Sequence, residues 1–407
     1  MIAIQRENID FKKYISYILI GYAFSFPISK AATNFFEVLA ILLWIIEGNW
    51  KEKFQLYKTN LLSIAIASLI GFSLLSILWH GNAETTLRYV AKYRHFLIIF
   101  IFFTSFDTKY TRTLLSAFLI SMFLSELMSY AIFFELIHYK NISPSDPSPF
   151  MSHMTYSTVL SFTTALLLIM LSYEKKLKYK LFYALFFLSA TTNLFVNGGR
   201  TGQVIYIVLI ITAALSLAKH KLIALLSAFI ALTIVFSLAY NFSPNFHNRA
   251  NQLYADFNNM FINHDYSGSG ATRVALTIIG LNTIKDHYLL GTGVNYEMQD
   301  FFLYKTQLNL TPSTISKTGD YHNTFITISA QLGIIGILIS LSIIYSLFFL
   351  QSTTKEYKIM SLAFALSFVI FSFTHNTLHT MEPMVFFSLF AGIFNALNKL
   401  YRQENEK

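Results

Sequence analysis

The chain has 407 residues, of which 54% are hydrophobic and only 13% charged, and it contains no cysteine. A soluble domain of this size cannot hide so much apolar surface, and without cysteine it forms neither disulfides nor cysteine-ligated zinc sites. The net charge of +9 would suit nucleic acid or an anionic substrate, but most of it follows a topological pattern.

Repeated apolar runs separated by short charged stretches predict an all-α integral membrane protein with about twelve transmembrane helices. The runs fall at roughly 14–29, 33–47, 60–79, 89–106, 112–138, 154–172, 180–196, 202–218, 221–240, 323–350, 357–375 and 381–398. None shows the alternation of a membrane barrel strand. The first run looks like a cleavable signal peptide. No small-residue cleavage site follows it, however, and Glu37 lies in the next apolar run, so it reads as a retained span.

With the N-terminus in the cytoplasm, every short inner segment is basic: Arg6, Lys12 and Lys13; Lys51, Lys53 and Lys58; Lys109 and Arg112; Lys175, Lys176, Lys178 and Lys180; Lys219 and Lys221; Lys355 and Lys358; Lys399, Arg402 and Lys407. The positive-inside bias then places both termini in the cytoplasm. The outer cations oppose that bias, so some should serve a ligand: Lys30, Arg88, Lys92, Arg94, Lys140, Arg200, Arg249, Arg273, Lys285, Lys305 and Lys317. The chain divides into spans one to nine (1–240), a long outer segment (241–322) and spans ten to twelve with a short tail (323–407). Helical spacing of Val274, Ile278, Leu281 and Ile284 predicts a small folded lid with at least two helices in the outer segment, with flexibility at 267–270 and a turn at Pro312.

Candidate chemistry appears in chain order. In LRYVAKYRHF, Arg88 and Lys92 share a helix face while Arg94 lies around from them, suiting either an anion or lipid headgroups. His153 and Tyr156 open span six and are candidates for the same cavity. In Asn197-Gly198-Gly199-Arg200-Thr201-Gly202, glycines free the backbone, Thr201 can cap the next helix, and Arg200 stands at a helix N-terminus that favours a phosphate; a tight turn with a snorkelling arginine is the alternative. Arg273 begins the lid helix, and gains weight only if the lid folds over Arg200. His322, followed by Asn323, meets the positive end of a helix dipole, which favours the neutral ring that a general base needs. The spacing of His375, His379 and Glu382 is a weak metal motif. No P-loop, nucleotide fingerprint or serine elbow occurs.

His322-Asn323 followed by Gly333 and Gly336, the Gly-Arg-Thr-Gly turn at 199–202, and ATRVALTIIGLNTIKDHYLLGTGVNYE at 271–297 together resemble the O-antigen ligase and polymerase superfamily. The resemblance implies a GT-C-like membrane fold and metal-independent, cofactor-free, inverting glycosyl transfer at the periplasmic face of the bacterial inner membrane. The donor would be a saccharide on undecaprenyl diphosphate, and the ligase branch would use lipid A–core as acceptor. The partners are then these lipids and the surrounding membrane, with no nucleic acid. Arg200 and Arg273 would hold the diphosphate, and His322 would orient or deprotonate the acceptor hydroxyl. Arg88, Lys92 and Arg94 are additional candidates for diphosphate contact. The polymerase is the nearest alternative. A protein O-oligosaccharyltransferase is typically longer, and a lipid-linked saccharide transporter would show repeated halves with broken helices.

Overall fold

A computed structural model describes residues 10–80, 82–294, 302–304, 306 and 320–405. Arg6, Lys305, Lys317, Lys407, the expected turn at Pro312 and the 295–297 end of the lid motif lie outside those residues. Among the described residues there are helices and connecting turns, and no strand. In order they are α1 (Phe11–Ser25), α2 (Lys30–Glu47), α3 (Trp50–Lys58), α4 (Leu61–Leu75), α5 (Ile77–His80), α6 (Ala83–Ala91), α7 (Leu97–Ser105), α8 (Thr111–Phe133) and α9 (His153–Tyr173). There follow α10 (Leu177–Val196), α11 (Arg200–Leu217), α12 (Lys221–Phe242), α13 (Pro244–Asn263), α14 (Ser269–Asp286), α15 (Thr324–Phe348), α16 (Lys355–Ser372) and α17 (Met381–Asn405).

Among the described residues, eight segments are long and apolar enough to cross a membrane: Leu61–Trp79, Thr108–Phe133, α9, α10, α11, α12, α15 and α17. α2 and α3 add a ninth if the pair, bent by 110°, is one broken span. The remaining predicted spans are helical but depart from the simple pattern. α1 has 15 residues, and α16 carries Lys355, Glu356 and Lys358. The run read as one span at 89–106 is broken: α6 ends at Ala91, a 3₁₀ turn covers Lys92–Phe96, and α7 follows. The break has a polar cause. From this turn Arg94 Nε lies 3.3 Å from Glu37 Oε1 and His95 Nδ1 lies 2.5 Å from Glu37 Oε2, so consecutive side chains share one buried carboxylate of α2.

α9 and α17 are the innermost spans and α12 the outermost. α9 packs on α10, α11 and α16, and α17 on α7 and α16. Leu222, Ile223, Phe229, Ile230 and Ile234 of α12 face outward, where lipid tails would cover them. Apolar burial drives little association in lipid, so close packing and interhelical hydrogen bonds must hold the helices together. The α9–α11 crossing shows both. A Cβ on Gly199 would lie 2.0 Å from Ser157 Oγ, and one on Gly202 would lie 2.4 Å from the Ser157 carbonyl. Across that approach Ser161 Oγ donates to the Gly202 carbonyl at 2.7 Å, a bond worth about 0.6–2 kcal/mol between membrane helices.

The connections segregate by end. At one end, here the upper, the 134–152 loop, the 197–199 turn, α13, α14 and the 373–380 turn meet. Asn197 Nδ2 bonds Asp146 Oδ1 at 3.4 Å, Thr201 Oγ1 bonds Thr374 Oγ1 at 3.1 Å, and the Ser152 amide donates to Glu382 at 3.0 Å. At the other end Arg112 bonds Glu356 at 2.6 Å, with Glu174 at 3.6 Å.

Candidate active site

The α10–α11 turn positions Arg200. Asn197 Oδ1 accepts from the Gly199 amide at 3.0 Å, closing the turn, and α11 starts at Arg200 with Gly199 in the capping position. Thr201 therefore lies inside the helix and does not cap it; its hydroxyl reaches Thr374 instead. The glycines that admit Ser157 hold this turn against α9, so the Gly-Arg-Thr-Gly motif is a packing device that presents an arginine.

That arginine faces a cavity of about 490 Å³. Arg200, Arg249 and Arg273 line it together with His153, and Val204, Leu253, Phe257, Val274 and Ile278 form an apolar flank. The three arginines come from α11, α13 and α14, so the lid does fold over the Arg200 turn. Arg200 Nη1 donates to Ser269 Oγ at 3.4 Å, and Arg273 Nη2 points at Met154 Sδ at 3.1 Å. Among the described residues none of the three guanidinium groups has an ion-pair partner. The nearby carboxylates are committed elsewhere: Asp146 lies 3.3 Å from His153 Nδ1, and Asp256 accepts from the Gly270 amide at 3.2 Å. The Arg273 pKa is pulled down, first by burial and then by the charge of Arg200. Three crowded cations with no direct ion pair, Arg200 feeling Asp256 only at longer range, suit a multivalent anion.

α13 is fixed by polar bonds to the end of α10. Ser243 Oγ donates to the Phe195 carbonyl at 2.7 Å and Asn245 Nδ2 to the Val196 carbonyl at 2.9 Å. This seats Arg249 over Gly198, where its Nε lies 3.4 Å from the position a Cβ would take.

His322 reaches the same region by another route. Tyr321, fully buried, packs with Ala275, Leu276, Ile279 and Ile326 in a small core between α14 and α15. Thr283 and Tyr321 share a hydroxyl–hydroxyl bond at 3.0 Å. The helix carrying Arg273 and the residue preceding His322 are therefore one packed unit. His322 itself has φ +48°, a left-handed conformation that a side chain adopts only when its surroundings enforce it. Its amide donates to Asp320 Oδ1 at 2.7 Å; its Nδ1 lies 3.2 Å from the same oxygen without hydrogen-bond geometry.

The 373–380 turn closes against His322. Thr324 Oγ1 donates to the His375 carbonyl at 2.7 Å, and Asn323 Nδ2 to the Phe373 carbonyl at 3.3 Å. The His322 and His375 rings stand 6.3 Å apart. His375 Nδ1 accepts from the Asn376 amide at 2.9 Å, and burial pushes the His375 pKa down to about 4. A neutral imidazole thus stands beside the candidate base.

A backbone interlock holds the end of the lid. α15 is broken at Gly333 (φ +60°), and residues 288–293 insert at the break. Thr292 donates to the Ala330 carbonyl at 2.8 Å, Gly293 to Gln331 at 2.9 Å, and Ile334 to Tyr288 at 2.8 Å. The approach leaves no room for side chains: a Cβ on Gly291 would meet the Gln331 backbone at 2.2 Å, and one on Gly333 the Leu289 backbone at 2.5 Å. Gly291 and Gly333 therefore join lid to span.

Other sequence candidates fall differently. Arg88 pairs with Glu84 at 2.5 Å on the exposed surface. Lys92 and Arg94 line a second cavity of about 450 Å³ and do not line the arginine cavity. Tyr156 does not line the cavity: it is fully buried and donates to Asn193 at 2.9 Å. Asn323 caps α15, accepting from the Phe325 and Ile326 amides at 3.0 and 3.1 Å. His375, His379 and Glu382 diverge, His379 stacking on Tyr89 at 3.5 Å and Glu382 pairing with Lys30 at 2.5 Å. Among the described residues no metal-binding cluster of three acidic, histidine or cysteine side chains forms. Asp320 carries no expectation from the sequence, His375 enters there only through the weak metal motif, and Arg249 only among the outer cations. The signal for Arg249 was its outer position against the charge bias.

Fold and site together define a multi-pass helical membrane protein in which three half-buried arginines line one cavity, with His322 on the turn that packs against the arginine-bearing helix α14. Residues 184–341 match the family model Wzy_C, described as O-antigen ligase, and the match supports the O-antigen ligase/polymerase superfamily. The matched stretch contains Arg200, Arg249, Arg273 and His322 together with both halves of the interlock. Members of that family are glycosyltransferase-like enzymes of lipopolysaccharide pathways, and the family implies lipid-linked saccharide substrates. No curated protein matches the chain significantly.

Proposed function

We propose that this protein is an O-antigen ligase, moving a saccharide from undecaprenyl diphosphate to lipid A–core at the periplasmic face of the inner membrane. The observation that carries the reading is the convergence of Arg200, Arg249 and Arg273, without carboxylate partners, on one cavity with an apolar flank. A lipid diphosphate has that composition: two phosphates for the guanidinium groups and a prenyl chain for Val204, Phe257 and Ile278.

In this reading the acceptor hydroxyl attacks the anomeric carbon from the face opposite the diphosphate. The new oxygen–carbon bond forms as the bond from the anomeric carbon to the phosphate oxygen breaks. The bonding pair leaves with undecaprenyl diphosphate, and the hydroxyl proton passes to His322. The arginines stabilise the charge growing on the leaving group, the role for which fixed cations give the largest rate effect. His322 supplies general-base catalysis, typically about 10²–10⁴-fold. Asp320, which accepts from the His322 amide, helps to fix the His322 backbone, and His375, kept neutral by burial, adds no competing charge.

Gene deletion followed by envelope glycan analysis tests the assignment. A ligase predicts long chains accumulating on undecaprenyl diphosphate beside unextended lipid A–core. Lipid A–core bearing a single repeat would indicate a polymerase, and donor trapped on the inner leaflet a flippase.

A further inference from the structure

The second cavity lies at the same upper end, and Lys92, Arg94, Asp320, Asn376, His379 and Thr380 line it. It shares a wall with the arginine cavity. In the 373–380 turn, Thr374 faces the arginines whereas Asn376, His379 and Thr380 face the second cavity. Asp320 also faces the second cavity and touches His322, so the histidine stands at the partition.

Its charges are unevenly satisfied. Arg94 is shared with Glu37 at 3.3 Å, while the Lys92 ammonium has no ion-pair partner among the described residues. His379 is buried against Tyr89 and carries no charge to compete, its pKa lowered to about 3 by burial and then by Lys92. Asp320, Asn376 and Thr380 offer the acceptors and donors that sugar hydroxyls use.

We infer that the second cavity is the acceptor site, and that it selects a saccharide bearing an anionic substituent, phosphate or carboxylate, which Lys92 binds. The inference rests on the proposed transfer reaction. An inverting displacement requires nucleophile and leaving group on opposite faces of the anomeric carbon. With the diphosphate on the arginines, the hydroxyl must come from another side, and the second cavity adjoins across the 373–380 turn, with Thr374 lining one and Asn376 the other.

The test is transfer by the full-length protein in proteoliposomes, with a lipid-linked saccharide donor and three acceptors: lipid A–core, its dephosphorylated form, and an undecaprenyl-diphosphate-linked repeat. Lys92→Gln should raise the KM for a phosphorylated acceptor by about tenfold or more, leave the donor KM unchanged, and be rescued in part by Lys92→Arg. With dephosphorylated acceptor the unaltered protein should already show the raised KM, and Lys92→Gln should add little. Whichever phosphorylated acceptor supports transfer separates the ligase from the polymerase, and either is compatible with the inference. An unchanged acceptor KM, or a raised donor KM, in Lys92→Gln would overturn the acceptor site and leave the transfer reaction standing. No transfer by the unaltered protein to any acceptor would remove the reaction and the site together.

Discussion

At the residue scale, a few side chains carry charge with no ion-pair partner among the described residues. Arg249 is the most informative because no motif marked it. It shares a cavity with Arg200 and Arg273 and acts on Arg200 electrostatically. Arg249→Gln should raise the donor KM by about tenfold, from the loss of one charge-assisted bond, with a smaller effect on the acceptor KM; unchanged donor kinetics would exclude it from the diphosphate site. His375 makes a different prediction. Its folded pKa, near 4, lies below the ordinary histidine value of 6.5, so the unfolded chain binds more protons between those values. The stability held by neutral His375 is complete above about pH 6.5 and is lost as pH falls toward 4. Melting of the detergent-solubilised protein should show that decline, and His375→Asn should flatten part of it.

At the element scale, the interlock between residues 288–293 and the break in α15 explains why widely separated glycines belong to one motif. Gly333→Ala would face both a positive φ and the Leu289 backbone. It should cost about 1–3 kcal/mol and loosen the lid, seen as a lower melting temperature and faster proteolysis within α13 and α14. Much of this architecture was legible in sequence: apolar runs mark the spans, and the arginine and histidine motifs point to one end. The broken stretch at 92–96 was not, because Glu37, the carboxylate shared by Arg94 and His95, lies on another helix. For the same reason Lys92 and Arg94 looked like partners of Arg200, although tertiary packing sends them to a separate cavity. Tyr156 was misplaced because helical position alone does not reveal a buried bond to Asn193.

At the scale of the whole molecule, the upper end gathers the arginines, the histidines and both cavities, while the opposite end holds the Arg112 ion pairs. We propose, from the positive-inside pattern, that the upper end faces the periplasm. Because the chain has no native cysteine, single introduced thiols report sidedness directly. A membrane-impermeant maleimide should label Tyr254→Cys on α13 in intact spheroplasts, and Lys175→Cys only after permeabilisation. The reversed pattern would invert the topology and remove the periplasmic assignment. The central claim is that the arginine cavity and His322 together perform glycosyl transfer. Its most direct test is transfer from undecaprenyl diphosphate to lipid A–core by purified protein in proteoliposomes. The unaltered protein should transfer unaided, Arg200→Gln and Arg273→Gln should each lower kcat by about 10²–10³-fold, and His322→Ala by about 10²-fold or more. Near-normal transfer by folded His322→Ala, or by an Arg200→Gln/Arg273→Gln double variant, would contradict it.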